Sequence, residues 1–302
     1  MSQRDIGDEN NQPGNDEASF NRLRELLLRV IEEDDYIPSD CREPEHDESE
    51  IASSLTDQNR TYYERANNDD DTCQYFVANS FRKGRDQFPV DKAISFKYMK
   101  KAASHGNKSA IYGLSYLMCP SIERDDDPEK AENFVKMLKI STFFDSEHAS
   151  FTLGQLYSIG FHVERNYLIS LIYLKFSADK VYPPAMLTFA NRLRKIVNNI
   201  IPRDEIQRLK DESNAFLNDQ TGINEINHKL RTTATSIFNV IDDPHLADTM
   251  SRIYYMKVVE DEKSSVQQKN KAQEKLTRLE NNEIVDDYTD DEYMLILNSI
   301  LR

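Results

Sequence analysis

An all-α repeat solenoid is the fold class this sequence predicts, and three observations predict it. The 302 residues hold 8 Gly and 10 Pro, too little punctuation for a sandwich or a barrel. Apolar residues recur at helical spacing along most of the chain. A pattern of small and ring-bearing residues also returns at a fixed distance, as stacked hairpins require. The expected architecture is a right-handed α-α superhelix behind an acidic, largely disordered N-terminal arm.

The arm comes first. The net charge is −15, and residues 1–72 carry 21 acids, 7 arginines and no lysine, so nearly all the acidity lies there. Residues 1–17 read as disordered and lack the apolar core of a leader peptide. Residues 19–33 place Phe20, Leu23, Leu27, Val30 and Ile31 on one helical stripe. Residues 38–72 are rich in Asp, Glu, Asn and Ser and read as a linker, with one short helix around 55–66.

From residue 73 the texture changes. CQYFVANSFRKG (73–84) superimposes on ASFTLGQLYSIG (149–160), placing Val77 on Leu153, Ala78 on Gly154, Phe81 on Tyr157 and Gly84 on Gly160. Downstream, Ser95 falls on Ser170, Tyr98 on Tyr173, Ala103 on Ala178 and Ala110 on Ala185. An intermediate copy starts at AIYGLSYLM (110–118), with Ala131 and Phe134 where the others have Ser and Tyr. The unit is therefore about 38 residues. Four copies are expected at 73–109, 110–148, 149–184 and 185–215.

Each unit reads as a helical hairpin. In the copy at 149–184 the first helix spans roughly 149–159, and Gly160 supplies the left-handed residue that ends it. Val163 fills the loop, and the second helix spans roughly 166–179. Ala149, Gly154, Ser170 and Ala178 are small because two helices must approach there.

This pattern resembles the Sel-one-like repeat (SLR) family, a relative of the tetratricopeptide repeat with a slightly longer unit. The residues that carry the resemblance are Ala149, Leu153, Gly154, Leu156, Tyr157, Gly160, Val163, Tyr167, Tyr173, Ala178 and Ala185, with KKAASHGN in the first copy. The copy at 110–148 departs from it, having no equivalent of Gly160 and a longer loop, SIERDDDPEK. The fourth copy lacks both the Gly and the Tyr. The resemblance covers 73–215. It implies first helices that line a concave surface, and proteins that act as adaptors in quality control, activators of membrane-bound synthases or signalling scaffolds. Some relatives are hydrolases acting on β-lactams.

Residues 216–302 continue as helices, read either as degenerate repeats or as a C-terminal cap. In the last of them, Thr289 and Glu292 form a capping box ahead of Tyr293, Ile296, Leu297 and Ile300.

Composition limits the function. An acidic chain argues against nucleic acid and anionic lipid as main partners. The most apolar stretch, YLISLIYLKFSA, is too short and interrupted to insert in a membrane. The three cysteines, Cys41, Cys73 and Cys119, are sparse and odd in number, which fits a reducing, cytoplasmic or nuclear setting. The Asn59 and Asn107 sequons then read as chance. His46, His105, His148, His162, His228 and His245 show no metal-ligand spacing. Asp69–Asp71 and Asp125–Asp127 lack the loop glycine of a calcium site. No nucleophile motif, P-loop or dinucleotide fingerprint occurs, so neither catalysis nor a cofactor is expected. The expected partners are other proteins or peptides. The residues expected to meet them, facing outward from the first helices, are Asn79, Lys83, Ser150, Gln155, Asn191, Arg192 and Lys195.

Overall fold

The computed structural model describes residues 21, 22, 24–29, 31, 41–118, 128–198, 201–218 and 224–281. Their regular structure is helical. Labelled in order, the helices are α1 (Glu48–Ser54), α2 (Asp57–Asn67), α3 (Asp71–Lys83), α4 (Lys92–Ser104), α5 (Lys108–Leu117), α6 (Pro128–Phe143), α7 (Glu147–Ile159), α8 (Tyr167–Asp179), α9 (Pro183–Val197), α10 (Arg203–Asn218), α11 (Asn224–Asp242), α12 (Pro244–Glu260) and α13 (Val266–Glu280). The readings placed on residues 1–17, on Cys119 and Asp125–Asp127, and on the capping box at Thr289 lie outside the described residues.

Hairpins form where the repeat predicts them. The first helix of each unit starts at a polar cap. Asp70, Asn107 and Ser146 accept the amide protons of Cys73, Ala110 and Ala149 three residues on. Gly84 and Gly160 end α3 and α7 in the left-handed region, at φ 61° and 74°. The chain then returns in the same way twice. The Asp91 amide donates to Phe81 O at 3.0 Å, and the Asn166 amide to Tyr157 O at 2.9 Å. Asp91 and Asn166 next cap α4 and α8.

Equivalent residues do equivalent work inside the hairpins. Ser95 Oγ donates to Ala78 O at 2.8 Å, and Ser170 Oγ to Gly154 O at 2.6 Å. Phe81 stacks on Tyr98 with ring centres 6.4 Å apart, and Tyr157 on Tyr173 at 5.7 Å. Gly154 is glycine because a Cβ there would lie 2.7 Å from Leu174 Cγ. Gly154→Val should therefore overpack the α7–α8 contact and lower stability by about 1–3 kcal/mol, read as a shift in urea midpoint.

The tyrosines make a second prediction. Tyr98 and Tyr173 are both fully buried. The Tyr98 hydroxyl shares its proton between Glu48 and Asn67, whereas among the described residues the Tyr173 hydroxyl has no hydrogen-bond partner. Tyr98→Phe should cost about 1–2 kcal/mol, because it removes hydrogen bonding to a charged carboxylate and to the Asn67 amide. Tyr173→Phe should be neutral or stabilising, because it removes an unmet polar group.

The solenoid runs past its expected limits. Residues 41–72 are not a linker. α2 packs on α3 as the second helix of an earlier unit, and its Ala66 is fully buried. Ahead of it, residues 41–54 form a strap across the first complete hairpin. Glu48 accepts the hydroxyls of Tyr63 and Tyr98 and pairs with Lys97 at 2.6 Å. Asp91, itself fully buried, accepts the amides of Glu45 and His46 at 2.8 and 3.1 Å. Helical residues near the N-terminus dock in cis as well, since Leu27 and Ile31 are buried against the rest of the chain.

The far end also differs. The helix that completes a hairpin with α9 is α12, not the 203–215 stretch expected in a fourth unit. Phe189 meets Tyr254 at 5.0 Å between ring centres, and Tyr255 Oη donates to Asn191 Oδ1 at 2.7 Å. α10 and α11 are therefore inserted between the two helices of that hairpin, and they lie over α6 and α8 instead. Asn166 donates to Glu212 at 3.0 Å, Phe216 meets the rings of Tyr157 and Tyr173, and Lys229 donates to Phe143 O at 2.7 Å. α13 follows on α12, where Arg252 donates to Leu279 O.

Candidate functional site

Stacking brings three first helices, α5, α7 and α9, side by side. Tyr112 Oη lies 3.4 Å from Thr152 Oγ1. The His148 ring sits between the rings of Tyr112 and Tyr182, at 5.5 and 4.7 Å, and Phe151 meets Tyr182 edge-on at 5.5 Å. Tyr112, Tyr116, Phe151, Thr152 and Tyr182 wall a groove of about 240 Å³, with His148 behind it. Its floor is Phe134 and Leu138 from α6, and its polar atoms come from Ser115, Thr152 and Gln155. Tyr112, Tyr116, Phe151 and Tyr182 are all half-buried. A groove with aromatic walls and a few convergent polar groups suits the capture of a side chain from another molecule. Burial, aided by Tyr112 and Glu147, pushes the Tyr182 hydroxyl up to about 12, so it stays a neutral donor at physiological pH.

The seven expected contact residues separate into two groups. Ser150, Gln155 and Arg192 do not face outward. Ser150 is fully buried and donates to Ser146 O at 2.9 Å. Arg192 is 2% exposed. Its guanidinium reaches from α9 into the α7–α8 hairpin and donates to Gly154 O at 3.1 Å, to the Ser170 hydroxyl, and to Gln155 Oε1 at 2.5 Å. The packed α7–α9 seam leaves those side chains no path to solvent, although Gln155 reaches the groove wall. Lys83 is exposed, and Asn79, Asn191 and Lys195 are half-buried. Asn79 accepts from Arg82, and Asn191 from Tyr255. Charge reversal at Arg192 is thus a test of folding, not of contact.

The aromatic wall is what sequence reasoning missed. The signal was present in the periodicity, because Tyr112 and Tyr116 are four residues apart, one turn off the buried stripe of Ile111 and Leu114.

Other chemistry is sparse. Among the described residues no group of three or more His, Cys, Asp or Glu could hold a metal ion. His46 is bound to Asp91, His105 to Gln74, and burial lowers the pKa of His162. Cys41 and Cys73 are buried, and burial raises the Cys73 thiol above its ordinary pKa. Among the described residues no helix is long and apolar enough to cross a membrane.

No protein-family description and no curated protein matches the chain. Among the solved structures similar to it are two helical-repeat proteins. One is a protective antigen of uropathogenic Escherichia coli displaying an SLR fold, at 17% identity and a TM-score of 0.43, over 72% of this chain and 43% of that one. The other is a Sel1 repeat protein from Oxalobacter formigenes, at 17% identity and a TM-score of 0.41, over 68% of this chain and 78% of that one. The chain thus spans under half the length of the first of these. Its own helix packing makes it an all-α solenoid of stacked hairpins, and the solved structures it resembles are Sel1-like repeat proteins.

Proposed function

We propose that this protein is a non-catalytic adaptor or scaffold that holds protein partners along the face formed by α5, α7 and α9. On this reading it serves as an activator or regulatory subunit of a larger complex, in the cytoplasm or nucleus. The observation that carries the reading is the groove walled by Tyr112, Tyr116, Phe151 and Tyr182. Half-exposed aromatic side chains converge there, which is the composition of an interaction hot spot. The alternative class, a hydrolase, needs a nucleophile held against a base, and no contact among the described residues favours one.

A photo-reactive phenylalanine analogue at Tyr116 should crosslink to a partner protein, while the same analogue at the exposed Glu274 of α13 should not. Phe151→Ala should weaken that partner's binding roughly tenfold with the helical content unchanged. Equal crosslinking from both positions, with Phe151→Ala inert, would end the groove reading.

A further inference from the structure

Among the described residues, positive charge gathers at one end of the groove. Arg82, at the end of α3, holds its guanidinium 5.6 Å from the centre of the Tyr116 ring and donates to Asn79. Lys83 and Arg85 follow it, both exposed, and among the described residues neither pairs with an acid. Desolvation, with Arg82 and Arg85 nearby, holds the Lys83 ammonium below its ordinary pKa. The neighbouring acid, Asp86, accepts the Ser80 hydroxyl. Elsewhere on the rim charges are matched, since Glu147 on α7 lies 3.7 Å from Lys108 on α5. Arg82, with Lys83 and Arg85 close to it, thus stands against the Tyr116 wall of a pocket of about 240 Å³, roomy enough for one ring, given that a cavity of about 150 Å³ takes benzene.

We propose that the groove recognises a linear acidic segment of a partner protein. One bulky apolar side chain enters the pocket between Tyr112, Phe151 and Tyr182, and adjacent carboxylates meet Arg82, Lys83 and Arg85. This rests on the groove being the partner face and adds the partner's chemistry. The aromatic pocket supplies the anchor, and the cations supply steering and register, so affinity depends on both.

The test uses the full chain and three fluorescein-labelled nine-residue probes read by anisotropy. One carries three acids near a single phenylalanine, the second has lysines for the acids, and the third has alanine for the phenylalanine. The acidic phenylalanine probe should bind about tenfold tighter than either control, and added salt should weaken it. Lys83→Glu with Arg85→Glu changes only exposed side chains and should turn the preference toward the lysine probe. Acidic and lysine probes that bind alike, with the phenylalanine still needed, would overturn the acidic inference and leave the groove standing. Loss of the phenylalanine requirement would overturn both. So would the absence of saturable binding up to about 1 mM, if the Tyr116 crosslink failed as well. If that crosslink succeeded, the same absence would overturn only the acidic inference.

Discussion

Arg192→Glu is expected to destabilise the protein by about 3–5 kcal/mol, the cost of breaking a buried charged network. The guanidinium is the bolt of the α7–α8–α9 junction. It donates to Gly154 O beside the Ser170 hydroxyl, tying three helices at one carbonyl, and it fixes Gln155 at the groove. A carboxylate there would face the Gly154 and Gln155 oxygens with no proton to offer. Arg192→Met keeps the volume and should cost less, because it removes the charge together with its desolvation. Lys271→Glu, at an exposed position of α13, should stay within about 0.5 kcal/mol, as surface changes do. Urea titration of the three variants separates the cases. If Arg192→Glu unfolded at the wild-type midpoint, the buried assignment would be wrong.

Asp91→Ala should lower stability by about 3 kcal/mol and release the strap at 41–54. The Asp91 carboxylate caps α4 through Ile94 N at 2.9 Å and accepts the amides of Glu45 and His46 and the His46 ring. A lost cap costs about 1 kcal/mol, and each stranded amide about 1–3 kcal/mol. Hydrogen exchange should then rise in Ser49–Ser54 while α7 and α8 remain protected. Acid should do the same. Burial pushes the Asp91 carboxyl up, yet hydrogen bonds from Ile94, Glu45 and His46 outweigh it and hold its pKa below 3.8. Glu48, desolvated but bonded to Lys97, Tyr63 and Tyr98, is likewise held below 4.5. A depressed carboxyl stabilises the fold above its unfolded pKa, and that stability is lost as pH falls through the folded value. The strap should therefore be firm at neutral pH and loosen first below about pH 4.

The hairpins were legible because their rules are local. A left-handed turn demands Gly84 and Gly160, close helices demand Gly154 and Ser170, and stacked rings recur as Tyr98 and Tyr173. Where packing joins distant segments, local rules fall silent. Composition reads 38–72 as linker with one short helix, since it cannot register that Glu48 meets two tyrosines or that Asp91 waits for two amides. Arg192 looks like a surface residue on its own helix, and only the α7–α8 seam makes it internal. The insertion of α10 and α11 is invisible for the same reason. Their amphipathic stripes show that a face is buried, and not which helix covers it. The groove was half visible, as positions on the right helices but with polar side chains preferred over Tyr112, Phe151 and Tyr182.

The side-by-side placement of α5, α7 and α9 carries the whole account, and ring-to-ring nuclear Overhauser effects test it directly. With tyrosine and histidine selectively protonated, cross-peaks should connect Tyr112 to His148 and His148 to Tyr182, whose ring centres lie 5.5 and 4.7 Å apart. The Tyr157–Tyr173 pair, at 5.7 Å within one hairpin, provides the internal standard. A spectrum that shows the standard and lacks both links would mean hairpins that form without stacking, and no groove.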